Sequence, residues 1–313
     1  MVFLLIAAVC GALFSIIFKV CQRRGIDTMQ AILFNYVTAI LVAWIPLFAH
    51  QLSGGPAVVN PFNQSWIWLA LLQGLFFMSG FIVMAQSTRR CGVALTTVAA
   101  RASLVIPVVL SWVLLAGPAP QWLPVGLVVT ALVLMAAKPL PNPSLRSPVI
   151  GEKREVQRPL TGKTSALIFF LVFLFYGIAD FSLKAVQNSV SAQCAGDEAL
   201  VGRQLSALTG TIFVMAALLS LLVVLCRPKS QRKPFDPRSI VAGAMLGLAN
   251  LGCTTCILRS LTILPAATFF PLYNIAIVIL GTLAGILLFK ERIRPLQYIG
   301  LAIAIVAIVL FFR

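Results

Sequence analysis

The sequence predicts an all-α membrane protein with ten transmembrane helices, and three observations support this fold class. First, 60% of the 313 residues are hydrophobic and only 10% are charged, whereas a soluble domain carries about a quarter charged residues. Second, the apolar residues fall into runs of the roughly 20 residues that span a bilayer. Third, Lys and Arg are segregated to one set of loops. Together these features exclude a soluble globular, disordered or fibrous chain.

The predicted helices are joined by short connections, apart from one long linker. They cover residues 2–21, 29–49, 66–87, 92–115, 121–137, 164–186, 200–226, 238–259, 264–289 and 295–312. The linker, 138–163, is rich in proline and charge, so we expect it to be extended and solvated. It separates a first five-helix repeat (1–137) from a second (164–313). The first apolar run has its basic residues after it, on the wrong side for a signal peptide, so we expect it to remain as a span.

The net charge of +16 is typical of nucleic-acid binding in a soluble protein, but here it follows the membrane topology. Of the 24 Lys and Arg, 19 lie in the loops that follow helices 1, 3, 5, 7 and 9. The opposite side has Lys184, Arg203, Arg259 and Arg313, and the one remaining basic residue, Arg101, lies about ten residues inside predicted helix 4. Cytoplasmic loops carry the basic excess. We therefore predict a multi-pass protein of the bacterial inner membrane, with both termini outside, lipids as neighbours and no nucleic-acid partner.

The two halves are predicted to be an inverted repeat, because five helices per half place homologous halves in opposite orientations. A shift of 173 residues places Gly74 on Gly247, and the segment from Gly92 on the segment from Pro265. Both segments begin with a helix breaker and continue through small residues into a branched aliphatic run. The pattern indicates an ancient duplication.

The segment 265–312 resembles the end of EamA-like members of the drug/metabolite transporter superfamily. The shared features are the small-residue helix start Pro265–Ala267, the Phe-x-Glu turn that ends at Glu291, and Gly300 in the last helix. The first half departs from the pattern, because 116–120 has no acidic counterpart of Glu291. The resemblance implies a 5+5 inverted repeat, a central cavity and alternating access. It implies no single substrate, since the superfamily carries amino acids, drugs, sugars, nucleotide sugars and phosphorylated metabolites.

Polar groups inside the spans are the candidate site residues, because burying them in a membrane is costly. Arg101 needs a carboxylate, backbone carbonyls, water or an anionic substrate, and pairing with Asp180 is the structural alternative. Under the repeat, Arg101 corresponds to Asn274, which follows Tyr273. Asn274 could instead bond a neighbouring helix. All three are candidates for substrate binding.

Asp180 is the only acid well inside a predicted span. It is the candidate for proton coupling, with an i, i+4 pair to Lys184 as the structural alternative. Lys184, Asn35 and Gln73 complete the candidates for substrate contact, and hydrogen bonds between helices are the alternative for the two amides. The Gly243-x-x-x-Gly247 and Gly281-x-x-x-Gly285 pairs favour close helix packing. Pro107 either frees a backbone carbonyl or produces a plain kink.

No catalytic, metal-binding or cofactor motif is evident in the sequence. The single histidine lacks a partner nearby, the seven cysteines are scattered, and P-loop, HExxH and GxSxG motifs are missing. We therefore expect a transporter and not an enzyme, one that moves a small polar metabolite such as an amino acid or an anion, as an exporter. The second hypothesis is a flippase or scramblase for a charged lipid carrier. The oligomeric state is left open, and a monomer is compatible with the sequence.

Overall fold

A computed structural model describes residues 1–91, 93–135, 162–194, 197–226, 236–289 and 295–312. These residues form eleven α-helices and one short 3-10 helix, Pro61–Asn63, and they contain no β-strand. The helices are α1 (Val2–Arg23), α2 (Thr28–Leu52), α3 (Ile67–Cys91), α4 (Val93–Ala102), α5 (Val105–Leu114), α6 (Trp122–Met135), α7 (Gly162–Gln193), α8 (Glu198–Leu225), α9 (Pro237–Ile263), α10 (Ala266–Phe289) and α11 (Pro295–Phe311).

The predicted all-α membrane class is confirmed. Within the described ranges, eight helical segments are long and apolar enough to cross a membrane, and α4 and α5 together provide one of them. The apolar helices α6 and α11 have 14 and 17 residues. α6 ends and α11 begins at the edge of the described ranges, so these lengths are those of the described parts alone. The count of ten spans therefore stays a prediction.

Predicted helix 4 is wrong as a continuous helix, because it is divided into α4 and α5 at Ser103 and Leu104. Pro107 explains the break. Proline has no N–H for the carbonyl four residues earlier, and its ring clashes with that carbonyl, which here belongs to Ser103. The Ser103 carbonyl accepts from the Ile106 N–H instead, at 2.9 Å. Arg101 consequently lies in the last turn of a short helix.

Three helices begin at an aspartate that caps the free N–H groups of the first turn. Asp27 accepts from the backbone N–H groups of Met29 and Gln30 at the start of α2. Asp197 likewise accepts from two N–H groups at the start of α8, and Asp236 accepts from the Arg238 N–H at the start of α9. Glu198 lies in the first turn of α8, where a negative charge is favoured by the helix dipole. Of the five acids in the described ranges, only Asp180 is therefore not at a helix start.

Helix α7 ends at Gln193 rather than at residue 186, and it begins at Gly162, so the last two residues of the predicted linker are helical. The remainder of the linker lies outside the described residues, as do the basic loop 227–235 and the turn that contains Glu291.

The chain divides into two compact units, and each unit contains residues from both sequence halves. Unit 1 is Met1–Ser79 with Ser182–Leu264, and unit 2 is Gly80–Phe181 with Pro265–Arg313. In unit 1, α9 packs against α1 and α2, and α8 packs against α2. In unit 2, α6 packs against α11, and α10 packs against α5 and α6. The unit boundaries fall within α3 and α7.

Candidate functional site

Arg101 and Asn274 are joined by a hydrogen bond within unit 2. The Arg101 Nη1 donates to Asn274 Oδ1 at 3.1 Å. The Asn274 Nδ2 in turn donates to the Phe270 carbonyl oxygen at 3.0 Å, one turn earlier in α10. Asn274 is buried and Arg101 is half-buried. The amide is therefore held with its oxygen towards the guanidinium, and the remaining guanidinium N–H groups can serve a ligand.

An aromatic pair lies beside this amide on α10. The rings of Phe269 and Tyr273 are stacked, with centroids 5.3 Å apart and planes 13° apart. Phe269 is fully buried, whereas Tyr273 is half-buried. The pair gives the wall beside Asn274 a rigid apolar surface with a polar phenol edge.

Asp180 and Tyr176 lie one turn apart on α7, which places both on the same helix face. The Tyr176 hydroxyl donates to the Gly80 carbonyl oxygen at 2.9 Å. Arg101 is near enough to both side chains for its charge to act on them. Across the described part of the chain, the Asp180 carboxyl has neither a hydrogen-bond partner nor an ion pair. Part of its side chain is left uncovered by the described protein.

Unit 2 thus combines a cation, a carboxyl group, an amide and two phenols in one region. A guanidinium binds carboxylate and phosphate groups through paired N–H donors. A carboxyl group without a fixed partner can exchange a proton as its charged neighbours change. These groups can bind an anionic or zwitterionic solute and couple its binding to a proton.

Lys184 has protein partners within unit 1. Its Nζ donates to Gln187 Oε1 at 2.6 Å and to the Leu261 carbonyl oxygen at 2.9 Å. Leu261 lies in the last turn of α9, where the carbonyl groups have no helical partner and attract a cation. The side chain therefore links α7 to the end of α9.

Asn35 and Gln73 are also in unit 1, and both are buried, with 0% and 2% of their surfaces exposed. The Asn250 Nδ2 donates to Asn35 Oδ1 at 3.3 Å. Within the described ranges, Asn35 Nδ2 and Gln73 Oε1 have no hydrogen-bond partner. Of the candidates from the sequence, the structure therefore brings Arg101, Asn274, Tyr273 and Asp180 into unit 2, and Lys184, Asn35 and Gln73 into unit 1.

Tyr176 belongs to this region but is not among the candidate residues named from the sequence. Its position four residues before Asp180 was the available signal, because that spacing puts two side chains on one helix face. The Asn35–Asn250 bond had no such signal, since the two residues lie 215 positions apart.

Comparison with known proteins supports the fold without identifying an activity. No family model matches the chain. An uncharacterized protein of Haemophilus influenzae is 26% identical over 310 residues, which cover 97% of this chain and 95% of that protein. A protein of known crystal structure is similar over the full length of this chain and 98% of its own, with a TM-score of 0.68 and 12% identity. At that identity the likeness concerns the fold alone.

Proposed function

We propose that the protein is a secondary active transporter of the drug/metabolite superfamily, similar to EamA-like members, that exports a small polar metabolite across the bacterial inner membrane. The observation that supports this most strongly is the hydrogen bond between Arg101 and Asn274. The two residues are 173 positions apart, which is the shift that relates the two sequence halves. A contact between equivalent residues is expected where the twofold axis of an inverted repeat passes, and transporters of this type bind substrate there.

The packing of two glycines supports the proposed 5+5 repeat. A Cβ atom built on Gly74 would lie 2.5 Å from the Ile212 carbonyl oxygen of α8. On Gly247, which the repeat aligns with Gly74, it would lie 2.5 Å from the Asn35 carbonyl oxygen of α2. Each helix therefore approaches, at the same position, the second helix of the other half. This reciprocal relationship is what a twofold repeat produces.

The ring contact between Tyr36 and Phe213 supports the same repeat. Their ring centroids are 6.0 Å apart within unit 1. The two glycines meet the carbonyl groups of Asn35 and Ile212, so the repeat pairs these two residues, at a shift of 177 in this part of the chain. The same shift places the next residue of each helix, Tyr36, on Phe213. Equivalent residues of α2 and α8 thus contact one another, as Arg101 and Asn274 do in unit 2.

The proposed mechanism is alternating access about a central binding region, in which the moving bodies are built from helices of both halves. Arg101 binds the anionic group of the substrate, and Asn274 and Tyr273 orient it. Asp180 takes up a proton on one side and releases it on the other, because its charge is acceptable only while a cation or water compensates it. Substrate and proton compete for the favourable charge of Arg101, which couples their movements.

The proposed orientation places both termini outside. It rests on the segregation of 19 basic residues to the loops on one side. A C-terminal fusion to alkaline phosphatase should therefore be active, because this enzyme folds only outside the cytoplasm. A C-terminal fusion to green fluorescent protein should be dark. The opposite pair of signals would reverse the orientation.

The function itself is tested by reconstitution. The purified protein is screened by thermal shift against amino acids, carboxylates and phosphorylated metabolites, and the stabilising solutes are then offered to proteoliposomes under an imposed pH gradient. We expect at least one solute to accumulate to a higher level than in protein-free vesicles. A protonophore should abolish this accumulation. Accumulation of no solute, combined with rapid movement of a labelled lipid between leaflets, would replace the transporter by a lipid-moving protein.

A further inference from the structure

A cavity of about 470 Å³ lies at one end of unit 1. Its lining comes from the first turns of α8 and the last turns of α2 and α9. The volume falls within the range of about 300–1,000 Å³ that is typical of sites for small molecules. Its polar lining includes Arg203, Arg259, Glu198 and Ser206.

Two of the few basic residues on this side of the protein meet in the cavity. Under the proposed orientation the cavity faces outwards, on the side that carries only four of the 24 Lys and Arg. Membrane topology favours a low basic content there. The convergence of Arg203 and Arg259 on one cavity is therefore not explained by topology.

The guanidinium of Arg259 is held by an aromatic ring and fits against a glycine. The Arg259 Cζ lies 5.9 Å from the centroid of the Phe3 ring, a cation–π contact that holds the guanidinium. A Cβ atom built on Gly202 would lie 3.1 Å from Arg259 Nη2, so the glycine leaves room for the guanidinium against α8. In the ranges that the structure describes, neither Arg203 nor Arg259 has a carboxylate partner at salt-bridge distance.

The α8 N-terminus does not supply the binding by itself. Asp197 already accepts from the N–H groups of Ala199 and Leu200, at 2.9 and 3.0 Å. An anion in the cavity would therefore depend on the guanidinium groups. Glu198 adds a negative charge to the same lining, which leaves one net positive charge and provides a partner for a cation. The arrangement suits a ligand that carries charges of both signs.

We propose that this cavity binds a zwitterion whose oxyanion group meets Arg203 and Arg259 and whose ammonium group meets Glu198. Guanidinium groups bind phosphate and carboxylate oxygens through paired, charge-assisted hydrogen bonds. Two sources carry a phosphate with an ammonium group, namely a free solute such as phosphoethanolamine and the headgroup of phosphatidylethanolamine. The site lies in unit 1 and rests on the proposed orientation, but its test is separate from that of the Arg101 region and of transport.

The test is calorimetric titration of the full-length protein in a non-ionic detergent with phosphoethanolamine, inorganic phosphate and ethanolamine. We expect saturable binding of phosphoethanolamine, weaker binding of phosphate and weaker binding still of ethanolamine. Arg203→Gln and Arg259→Gln should each lower the affinity for phosphoethanolamine by about tenfold or more, as the loss of one charge-assisted hydrogen bond does. Gly202→Leu, which keeps both charges but fills the cavity and displaces the Arg259 guanidinium, should abolish the binding.

Arg238→Gln is the matched control, because Arg238 is an exposed arginine at the opposite end of α9 and its replacement makes the same change in charge. It should leave the affinity unchanged. The titration is repeated in phosphatidylcholine nanodiscs with and without phosphatidylethanolamine. Loss of phosphoethanolamine binding in the nanodiscs that contain phosphatidylethanolamine identifies the headgroup as the occupant. An unchanged titration in these nanodiscs identifies the free solute.

Three results would overturn the proposal. The first is no saturable binding to the wild-type protein in detergent or in nanodiscs. The second is a loss of phosphoethanolamine affinity in Arg238→Gln that equals the loss in Arg203→Gln or Arg259→Gln. The third is wild-type affinity in arginine variants whose melting temperatures match that of the wild type. If an arginine variant does not fold, wild-type affinity in Gly202→Leu takes its place.

Discussion

Arg101 and Asn274 lie 173 residues apart in the chain, and a hydrogen bond of 3.1 Å joins them inside unit 2. A guanidinium in a membrane protein normally finds a carboxylate partner. Here its described partner is a neutral amide, so the positive charge is positioned but not neutralised. The account of this protein as a transporter of anionic or zwitterionic solutes depends on that charge.

Asn274→Asp should separate the charge of Arg101 from its position. The new carboxylate would accept the same hydrogen bond and form an ion pair with the guanidinium. We expect a melting temperature at or above that of the wild type and a loss of anionic substrate binding of at least about tenfold, because the charge is neutralised. Thermal shift with and without the stabilising solute measures both effects. Unchanged affinity would show that the charge of Arg101 does not contribute to binding.

Asp180→Asn should uncouple transport from protons. The substitution removes the titratable group but keeps the size and the polar character of the side chain. Uptake driven by a pH gradient should be lost, whereas exchange of solute across the membrane without a gradient should continue. Proteoliposome assays under the two conditions separate these activities. Gradient-driven uptake that persists in the variant would exclude Asp180 as the coupling group.

Gly74→Ala and Gly247→Ala should both destabilise unit 1. In each case the new methyl group would lie 2.5 Å from a backbone carbonyl oxygen, and overpacking of this kind costs about 1–3 kcal/mol. Gly281→Ala is the control, since no described heavy atom lies within 4 Å of a Cβ at that position. Melting temperatures in one detergent provide the comparison. An unchanged melting temperature for Gly74→Ala, together with a lowered one for Gly247→Ala, would contradict the reciprocal packing.

Lys184→Met should lower stability and leave the affinity for substrate within about twofold of the wild type. The variant loses the bonds to Gln187 and to the Leu261 carbonyl oxygen, and a hydrogen bond to a charged group is worth about 1.5–3 kcal/mol. Thermal unfolding and solute titration of the same sample measure the two quantities. A stable variant with impaired binding would instead place Lys184 in the substrate site.

The sequence predicts most of the fold because membrane-spanning helices leave long apolar runs, and the described helices follow those runs to within a few residues for the most part. It does not predict the break between α4 and α5. Pro107 is visible in the sequence, and its missing N–H always removes the bond to the Ser103 carbonyl, but whether the helix then kinks or is interrupted depends on tertiary packing.

The candidate site could be predicted in part. Arg101 and Asp180 stand out because charge inside a span is costly, and the repeat singles out Asn274 as the equivalent of Arg101. The contacts of Lys184 could not be predicted, since its partner carbonyl belongs to Leu261, 77 residues away. The packing of the two GxxxG pairs differs for a similar reason. Gly247 meets the backbone of α2, whereas Gly281 is exposed, and nothing local in the sequence distinguishes them.

The most direct test of the account is uptake of the stabilising solutes by proteoliposomes that contain wild-type protein or Arg101→Gln. Glutamine can still donate a hydrogen bond to Asn274, so the variant should fold and insert as the wild type does, which its melting temperature will show. If the proposed function is right, an anionic or zwitterionic solute accumulates with the wild type, and its accumulation falls to the level of protein-free vesicles with the variant. Equal accumulation by the two proteins would contradict it.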